Sequence, residues 1–231
     1  MAISDYDTAL AGLYAALDAP PPRRIEGCPC CINSRNVDVL LSKPLGVLSS
    51  EDLSRYASGV FLTVGGQTDY RYLLPRILEI SANETSWWPS PEITVGALKR
   101  AEWDHWASSD RKAIVTFLSV WFDRWAAATF IDEDGYAYGA EVEPLLCGIA
   151  RAGLAIRPYL DRLLIPANQA ALKLLYNTCG DAACSGSKAT NFWEDAENGW
   201  AELVTFLKSS AVGEQVGSAP HPSTNTGPQA T

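Results

Sequence analysis

Three cysteines stand within four consecutive positions near the start of the chain. The segment CPCC contains Cys28, Cys30 and Cys31 and follows three consecutive prolines. Thiols this close together can bind a structural metal ion, carry out redox chemistry, or pack as small apolar side chains. Zinc sites usually present cysteines as pairs separated by roughly two to four residues on tight turns, and the Cys-x-Cys-Cys spacing departs from that pattern.

A second pair of cysteines could complete a tetrahedral zinc site. Cys179 and Cys184 lie in the segment NTCGDAACSGS, which we expect to be a glycine-containing loop. If the two loops meet, Cys28, Cys30 and Cys31 together with this pair could close a structural zinc site. A site made only of thiolates leaves no open position for a substrate, so such a zinc would not be catalytic. Redox activity and inert packing remain as alternatives.

The sequence contains no constellation that predicts catalysis. His105 follows Asp104 and stands between Trp103 and Trp106. Adjacent residues on one helix point in different directions, so Asp104 cannot orient the imidazole well. We therefore interpret His105 as a helix-end histidine packed by tryptophans. The chain also lacks the serine-hydrolase, zinc-protease and phosphate-loop motifs. We predict that the protein is not an enzyme, and we keep a helical enzyme as an alternative.

The densest acidic cluster lies in the segment FIDEDGYAYGAE, between two predicted helices. Aligned with a calcium-binding EF-hand loop, Asp132 and Asp134 fall at ligand positions, but the first ligand position is Phe130, which cannot bind a cation. We therefore interpret the segment as an acidic loop between helices. Its carboxylates could also form a contact surface for a basic partner. The cluster consists of Asp132, Glu133, Asp134, Glu141 and Glu143.

A second candidate contact surface lies in the segment TDYRYLLPRILE. Helical spacing places Tyr72 and Arg76 on adjacent turns of one face. Tyrosine and arginine are favoured at the energetic centres of protein interfaces, so this face could recognise a partner. The other interpretation, which we favour, is a core-facing helix with an ordinary charged rim.

Helical periodicity runs through most of the chain and must position these candidates. Ser4, and Ser49 or Ser50, predict helix starts because serine side chains accept hydrogen bonds from the free N–H groups there. The strongest helical pattern is SSDRKAIVTFLSVWFDRWAA, with a single broad apolar face. Further helices are predicted over 90–103, 139–152, 157–164, 167–176 and 190–208.

These segments predict the fold class and the domain organisation. Strand-like alternation is absent, and short polar or Gly/Pro loops separate the helices. We expect an all-α antiparallel array of roughly nine helices in one domain over residues 1–210, with a HEAT-like solenoid as one form of such an array. Residues 211–231 are rich in Gly, Pro, Ser and Thr, so we expect a disordered tail.

Composition limits the function classes. The chain of 231 residues is 47% hydrophobic and 19% charged, which is ordinary for a globular protein. Its net charge of −9 argues against nucleic-acid binding and is compatible with a basic protein partner. The N-terminal segment has neither the charge nor the apolar run of a signal peptide, and no apolar stretch could span a bilayer. We expect a cytoplasmic protein with reduced cysteines.

Four segments carry a resemblance to known proteins: PRRIEGCPCC, PLGVLSSEDLSRYA, TVGGQTDYRYLLPRILEI and PEITVGALKRAEWDHW. Over about residues 21–125 the chain resembles a group of bacterial helical proteins associated with gene neighbourhoods of antibacterial toxins and their immunity proteins. The resemblance implies a bacterial cytosolic protein that neutralises a partner. It supplies no catalytic residues. With the acidic charge, it leads us to predict an immunity-type protein that binds a basic bacterial toxin, and a zinc-stabilised helical adaptor is the alternative.

Overall fold

A computed structural model describes residues 4–28, 32 and 37–217 of the chain. Over these ranges the chain is mostly helical, and nine of its α-helices are seven residues or longer, which confirms the predicted all-α class. The helices are α1 (Asp5–Ala16), α2 (Val39–Ser42), α3 (Ser50–Ala57), α4 (Gln67–Asn83), α5 (Pro91–Thr94), α6 (Ala97–Arg100), α7 (Ser108–Ala127), α8 (Glu143–Arg151), α9 (Arg157–Leu163), α10 (Gln169–Ser185), α11 (Glu197–Leu207) and α12 (Ser210–Val216).

Two helices begin where serine capping predicts them. The Ser4 hydroxyl accepts the backbone N–H of Asp7 at 3.1 Å, and Ser49 accepts that of Asp52 at 3.2 Å. Each aspartate also accepts a hydrogen bond from the backbone N–H of its serine, so both starts are reciprocal capping boxes. Capping depends on residues only three positions apart, and for this reason the sequence alone predicts it.

The centre of the fold is α7, which packs most extensively against α1. Its side chains Phe117, Trp121 and Phe122 are fully buried. Helix α5 likewise packs on α8. Both contacts join elements that are distant in the chain, whereas in a solenoid each repeat contacts only its neighbours. The array is therefore built around a shared core and is not a solenoid.

A glycine of α8 lets α5 approach closely, and a second glycine lies where α5 ends. A Cβ atom at Gly148 of α8 would lie 2.4 Å from the carbonyl oxygen of Pro91. At Gly96 a Cβ atom would lie 2.3 Å from the carbonyl oxygen of Glu92. Residues 95 and 96 form a turn between two helices, so the predicted helix over 90–103 is wrong: α5 and α6 are separate four-residue helices followed by a single 3-10 turn at Trp103–His105.

Other helix boundaries differ from the sequence prediction. Helix α10 continues past Gly180 and ends at Ser185. The predicted helix over 190–208 is divided into a 3-10 segment, Asn191–Ala196, and α11. Helix α12 occupies the start of the expected tail and buries Val212, so the tail cannot begin at 211. Residues 218–231 lie outside the described residues.

One short sheet interrupts the helices, although the sequence analysis found no strand. Strands β1 (Phe130–Ile131) and β2 (Ala137–Tyr138) pair antiparallel. The predicted helix over 139–152 starts only at Glu143 because residues 130–142 form this hairpin and its exit.

None of the helices in the described ranges has both the length and the apolar composition that crossing a bilayer requires.

The α5–α8 contact gives a stability prediction with an internal control. We expect Gly148→Ala to lower the free energy of unfolding by more than about 2 kcal/mol, because the new methyl group meets backbone atoms that cannot rotate away. Gly12→Ala in α1, where nothing lies within 4 Å of the new Cβ atom, should instead raise it by about 0.5–1 kcal/mol. Urea unfolding followed by circular dichroism measures both. Equal effects of the two substitutions would contradict the proposed close approach.

Candidate functional site

The two faces of the 130–138 hairpin have different surroundings. Phe130 pairs with Tyr138 across the strands, and Ile131 pairs with Ala137. Directly paired residues project from the same face of a sheet. Ala137 is buried and both strands contact α10, so the Ile131–Ala137 face points toward the body of the protein. The Phe130–Tyr138 face points away from it.

Hydrogen bonds fix the tip of the hairpin. The Asp132 carboxylate accepts the backbone N–H of Tyr136 at 2.7 Å, and the Asp132 carbonyl accepts the N–H of Gly135 at 3.0 Å. Gly135 has a φ of +84°, a conformation that glycine adopts without strain. The ammonium group of Lys173 on α10 donates to the Gly135 carbonyl at 2.5 Å. The turn is thereby attached to α10.

The base of the hairpin is attached to the end of α7. The Thr129 hydroxyl lies 3.1 Å from the carbonyl oxygen of Trp125 and 3.2 Å from that of Ala140. Gly139 has a φ of +133°, and a Cβ atom there would lie 2.8 Å from the Cα atom of Thr129. Both ends of the hairpin are thus held by neighbouring helices, and its exposed face has a defined orientation.

The exposed face of the hairpin carries three aromatic rings, which we call the aromatic platform: Phe130, Tyr136 and Tyr138. These side chains are 58%, 50% and 49% exposed. The ring centroids of Phe130 and Tyr138 lie 6.1 Å apart, with an interplanar angle of 34°. Among the described residues nine large hydrophobic side chains are exposed, and four of them belong to this hairpin. Exposed apolar groups concentrated in this way are typical of an interaction surface.

Carboxylates adjoin the aromatic platform. Glu133 and Asp134 lie at the tip and Glu141 follows the hairpin, and all three are exposed; we call them the acidic rim. In the part of the chain that the structure describes, neither these carboxylates nor Asp132 forms an ion pair. Asp132 instead holds the turn. The predicted acidic surface therefore carries negative charge that no ion pair among the described residues holds, although the Lys173 ammonium lies at the turn, and its contact with a partner stays a prediction.

Glu143 does not belong to this surface, although the sequence analysis grouped it there. Its side chain is buried, and one carboxylate oxygen accepts the indole N–H of Trp193 at 2.6 Å. Burial, with a smaller contribution from the negative charges of Glu92 and Glu141, raises the pKa of Glu143 to about 7 against the lowering effect of the Trp193 hydrogen bond. Glu92 is also buried, and one of its oxygens has no hydrogen-bond partner among the described residues.

Tyr72 and Arg76 make contacts inside the fold and do not form an open surface. Tyr72 is buried, and Arg76 donates to the carbonyl oxygen of Leu48 at 2.8 Å and pairs with Glu79 at 2.7 Å. Glu79 also accepts the hydroxyl of Tyr14 at 2.5 Å, which connects α4 to α1. These contacts match the favoured interpretation of a core-facing helix with a charged rim.

The cysteines of the described chain do not converge. Cys179 and Cys184 lie on α10, so the expected loop is wrong. Five residues along a helix correspond to a rotation of about 140°, and accordingly Cys179 is buried while Cys184 is exposed, as is Cys28. The described residues contain no group of three or more His, Cys, Asp or Glu side chains that could hold a metal ion. Cys30 and Cys31 lie outside the described residues, and the zinc site stays a prediction.

The two remaining candidates for chemistry differ in burial: Cys147 is enclosed, whereas His105 is exposed and not packed as expected. Cys147 is buried in α8, as predicted, and burial raises the pKa of its thiol well above the usual value. His105 is exposed at the end of a 3-10 turn. The neighbouring Trp103 is buried, and its indole N–H donates to the carbonyl oxygen of Ala152 at 2.9 Å.

A cleft of about 730 Å³ opens between α1, α4 and α7. Arg124 lies over the Tyr6 ring at 4.4 Å and donates to the Asn83 side chain at 2.6 Å. Two lining carboxylates, Glu79 and Asp123, are occupied by ion pairs with arginines of the same fold. The cleft is thus lined by groups that already stabilise the helix contacts.

Sequence reasoning missed the residues that make the hairpin a distinct surface. It recorded the acidic residues but not the aromatic platform or Ile131. The signal was present: FI and YAY flank a turn that ends in Asp-Gly, and aromatic residues around such a turn are typical of a hairpin. The segment is short, and its charges favoured interpretation as a loop.

No protein-family model, curated protein or solved structure matches the chain.

Burial of Glu143 predicts a pH-dependent stability. Its pKa is about 7 in the folded protein and near 4.5 in the unfolded chain, so the folded state binds the proton more tightly. The resulting stabilisation is complete below the lower value and is lost as the pH rises through about 7. Relative to Glu143→Gln, the wild type should lose about 1–3 kcal/mol of unfolding free energy between about pH 5 and pH 8.

The measurement is urea unfolding of both proteins at a series of pH values. Glu133→Gln serves as the matched control, because it changes an exposed carboxylate of the same type and should leave the pH dependence unaltered. If the unfolding free energies of the wild type and Glu143→Gln change with pH in the same way, Glu143 does not titrate between these pH values.

Proposed function

We propose that this protein is a cytoplasmic, non-enzymatic, immunity-type protein that neutralises a basic bacterial toxin by direct binding. The observation that carries the proposal is the aromatic platform next to the acidic rim, on a hairpin attached at both ends. The resemblance of residues 21–125 to proteins associated with toxin and immunity genes supports the same class.

The aromatic platform supplies the residue types that dominate binding energy at protein interfaces. Aromatic side chains bury a large area on association and lose little conformational entropy. The contacts of Lys173 and Thr129 hold the hairpin in place before a partner arrives, so less ordering has to accompany binding. The platform therefore fits a tight protein contact.

The acidic rim supplies the preference for a basic partner. Its carboxylates are exposed and lack ion pairs among the described residues, and the whole chain carries a net charge of −9. Opposite charges accelerate the encounter of two proteins, and salt weakens this effect. Inhibition would follow if the bound protein covers the functional surface of the toxin.

The test uses the basic proteins encoded beside the gene for this protein. Each is produced in bacteria with and without the full chain, and survival is measured together with binding of the purified pair by calorimetry. We expect one product to be toxic, to be bound, and to lose its toxicity on co-expression. Failure of every neighbouring product to bind or to be neutralised would overturn the proposal.

The aromatic platform should carry most of the affinity. For the protein identified in that test, Phe130→Ala with Tyr138→Ala should weaken binding by a factor of about 100 or more, since interface aromatics each contribute on the order of 2 kcal/mol. Both side chains are exposed, so the unfolding free energy should change little. The matched control is Leu62→Ala, which alters a side chain that is 64% exposed outside the hairpin. An unchanged affinity in the double variant would place the contact elsewhere.

The acidic rim should control the association rate. The triple variant Glu133→Gln, Asp134→Asn and Glu141→Gln should associate about tenfold more slowly than the wild type at low salt. The difference in association rate should vanish at about 0.5 M salt, because the salt then screens the electrostatic attraction between the two proteins. Stopped-flow fluorescence measures these rates.

A control with the same change in net charge separates the rim from the global charge. It replaces three exposed carboxylates outside the hairpin: Asp18→Asn, Glu51→Gln and Glu84→Gln. If this control slows association as much as the rim variant, the location of the rim has no special role.

A further inference from the structure

We infer that the aromatic platform binds an arginine side chain of the partner, and that the acidic rim supplies its counter-charge. This inference rests on the proposed function, since it names the group that the hairpin recognises. It concerns the side of the hairpin opposite the Ile131–Ala137 pair.

The fold itself contains the arrangement that suggests arginine. The guanidinium of Arg162 lies 4.9 Å from the ring centroid of Phe122 and 4.7 Å from that of Tyr159. These two rings are 5.3 Å apart. The same guanidinium donates to the Asp123 carboxylate at 2.7 Å. One phenylalanine, one tyrosine and one carboxylate thus surround one arginine.

The hairpin presents the same kinds of groups without an arginine of the described ranges over its rings. Phe130 and Tyr138 are neighbouring rings at 6.1 Å, and Glu133, Asp134 and Glu141 are nearby carboxylates in the sequence of the hairpin and its exit. Five arginine–ring contacts occur in the described ranges, and none involves a ring of the platform. An arginine from another protein could therefore occupy this position.

Arginine fits this surface better than lysine. A guanidinium is planar and weakly hydrated, so it can lie against an aromatic ring while its N–H groups still bond to a carboxylate. An ammonium group is compact and strongly hydrated, and loses more solvation on the same contact. Both side chains carry one positive charge, so a preference between them reports the rings and not the net charge of the hairpin.

The test compares two blocked octapeptides, one with alternating glycine and arginine and one with alternating glycine and lysine. Each is titrated into the full chain and followed by NMR of the aromatic rings. We expect the arginine peptide to shift the signals of Phe130 and Tyr138 and to bind about threefold or more tightly than the lysine peptide. Equal affinities, or shifts confined to other residues, would overturn the inference.

Matched variants give the result its specificity. Phe130→Leu with Tyr138→Leu keeps apolar side chains and the acidic rim but removes the rings, so the arginine preference should disappear. Trp88→Leu removes an aromatic side chain that is 58% exposed outside the hairpin, and the preference should persist. If the double variant still binds the arginine peptide more tightly than the lysine peptide, the platform is not the binding site.

The peptide assay can fail independently of the proposed function. If a neighbouring toxin is bound and neutralised but the peptides do not discriminate, the inference about arginine is wrong and the function stands. If the peptides discriminate but no neighbouring product is bound, the arginine site stands and the immunity function is wrong.

Discussion

Burial of the apolar face of α7 is the interaction on which the rest of the structure depends. Phe117, Trp121 and Phe122 are fully enclosed, and α1, α9 and α10 all contact this helix. The position of α7 determines where its C-terminal end emerges, and Thr129 attaches the hairpin directly to that end. The exposed aromatic platform is therefore oriented by the packing of the core, since α10 holds the tip and α7 holds the base.

Several charged side chains of the helical body have bonding partners within the chain, whereas those of the acidic rim have none among the described residues. Inside, Arg76, Arg151 and Arg162 each bond to a carboxylate of the same chain and to at least one backbone or hydroxyl oxygen. At the acidic rim, no such partner occurs among the described residues. Groups satisfied within the fold stabilise it, whereas exposed rings and carboxylates without partners lower the stability little and remain available to another molecule.

The two serine capping signals were read correctly, whereas contacts between distant elements were not predicted. The starts of α1 and α3 follow from serine capping, because both partners lie within three residues. The length of α10 was underestimated because glycine often ends a helix, whereas this helix passes Gly180 and ends only before Gly186, which has a φ of +77°. The contact at Gly148 depends on how α5 meets α8, which no local pattern encodes.

The sequence by itself determined the helical class and the acidic character, because periodicity, capping and charge are properties of neighbouring residues. Only the tertiary structure decided which candidate residues reach the surface. Glu143 is buried while Glu141, two residues earlier, is exposed, and Arg76 is occupied by the fold. Phe130 and Tyr138 are exposed although aromatic residues are usually assigned to the core. Each of these residue types can be buried or exposed, and which of the two occurs depends on the elements that pack against the side chain.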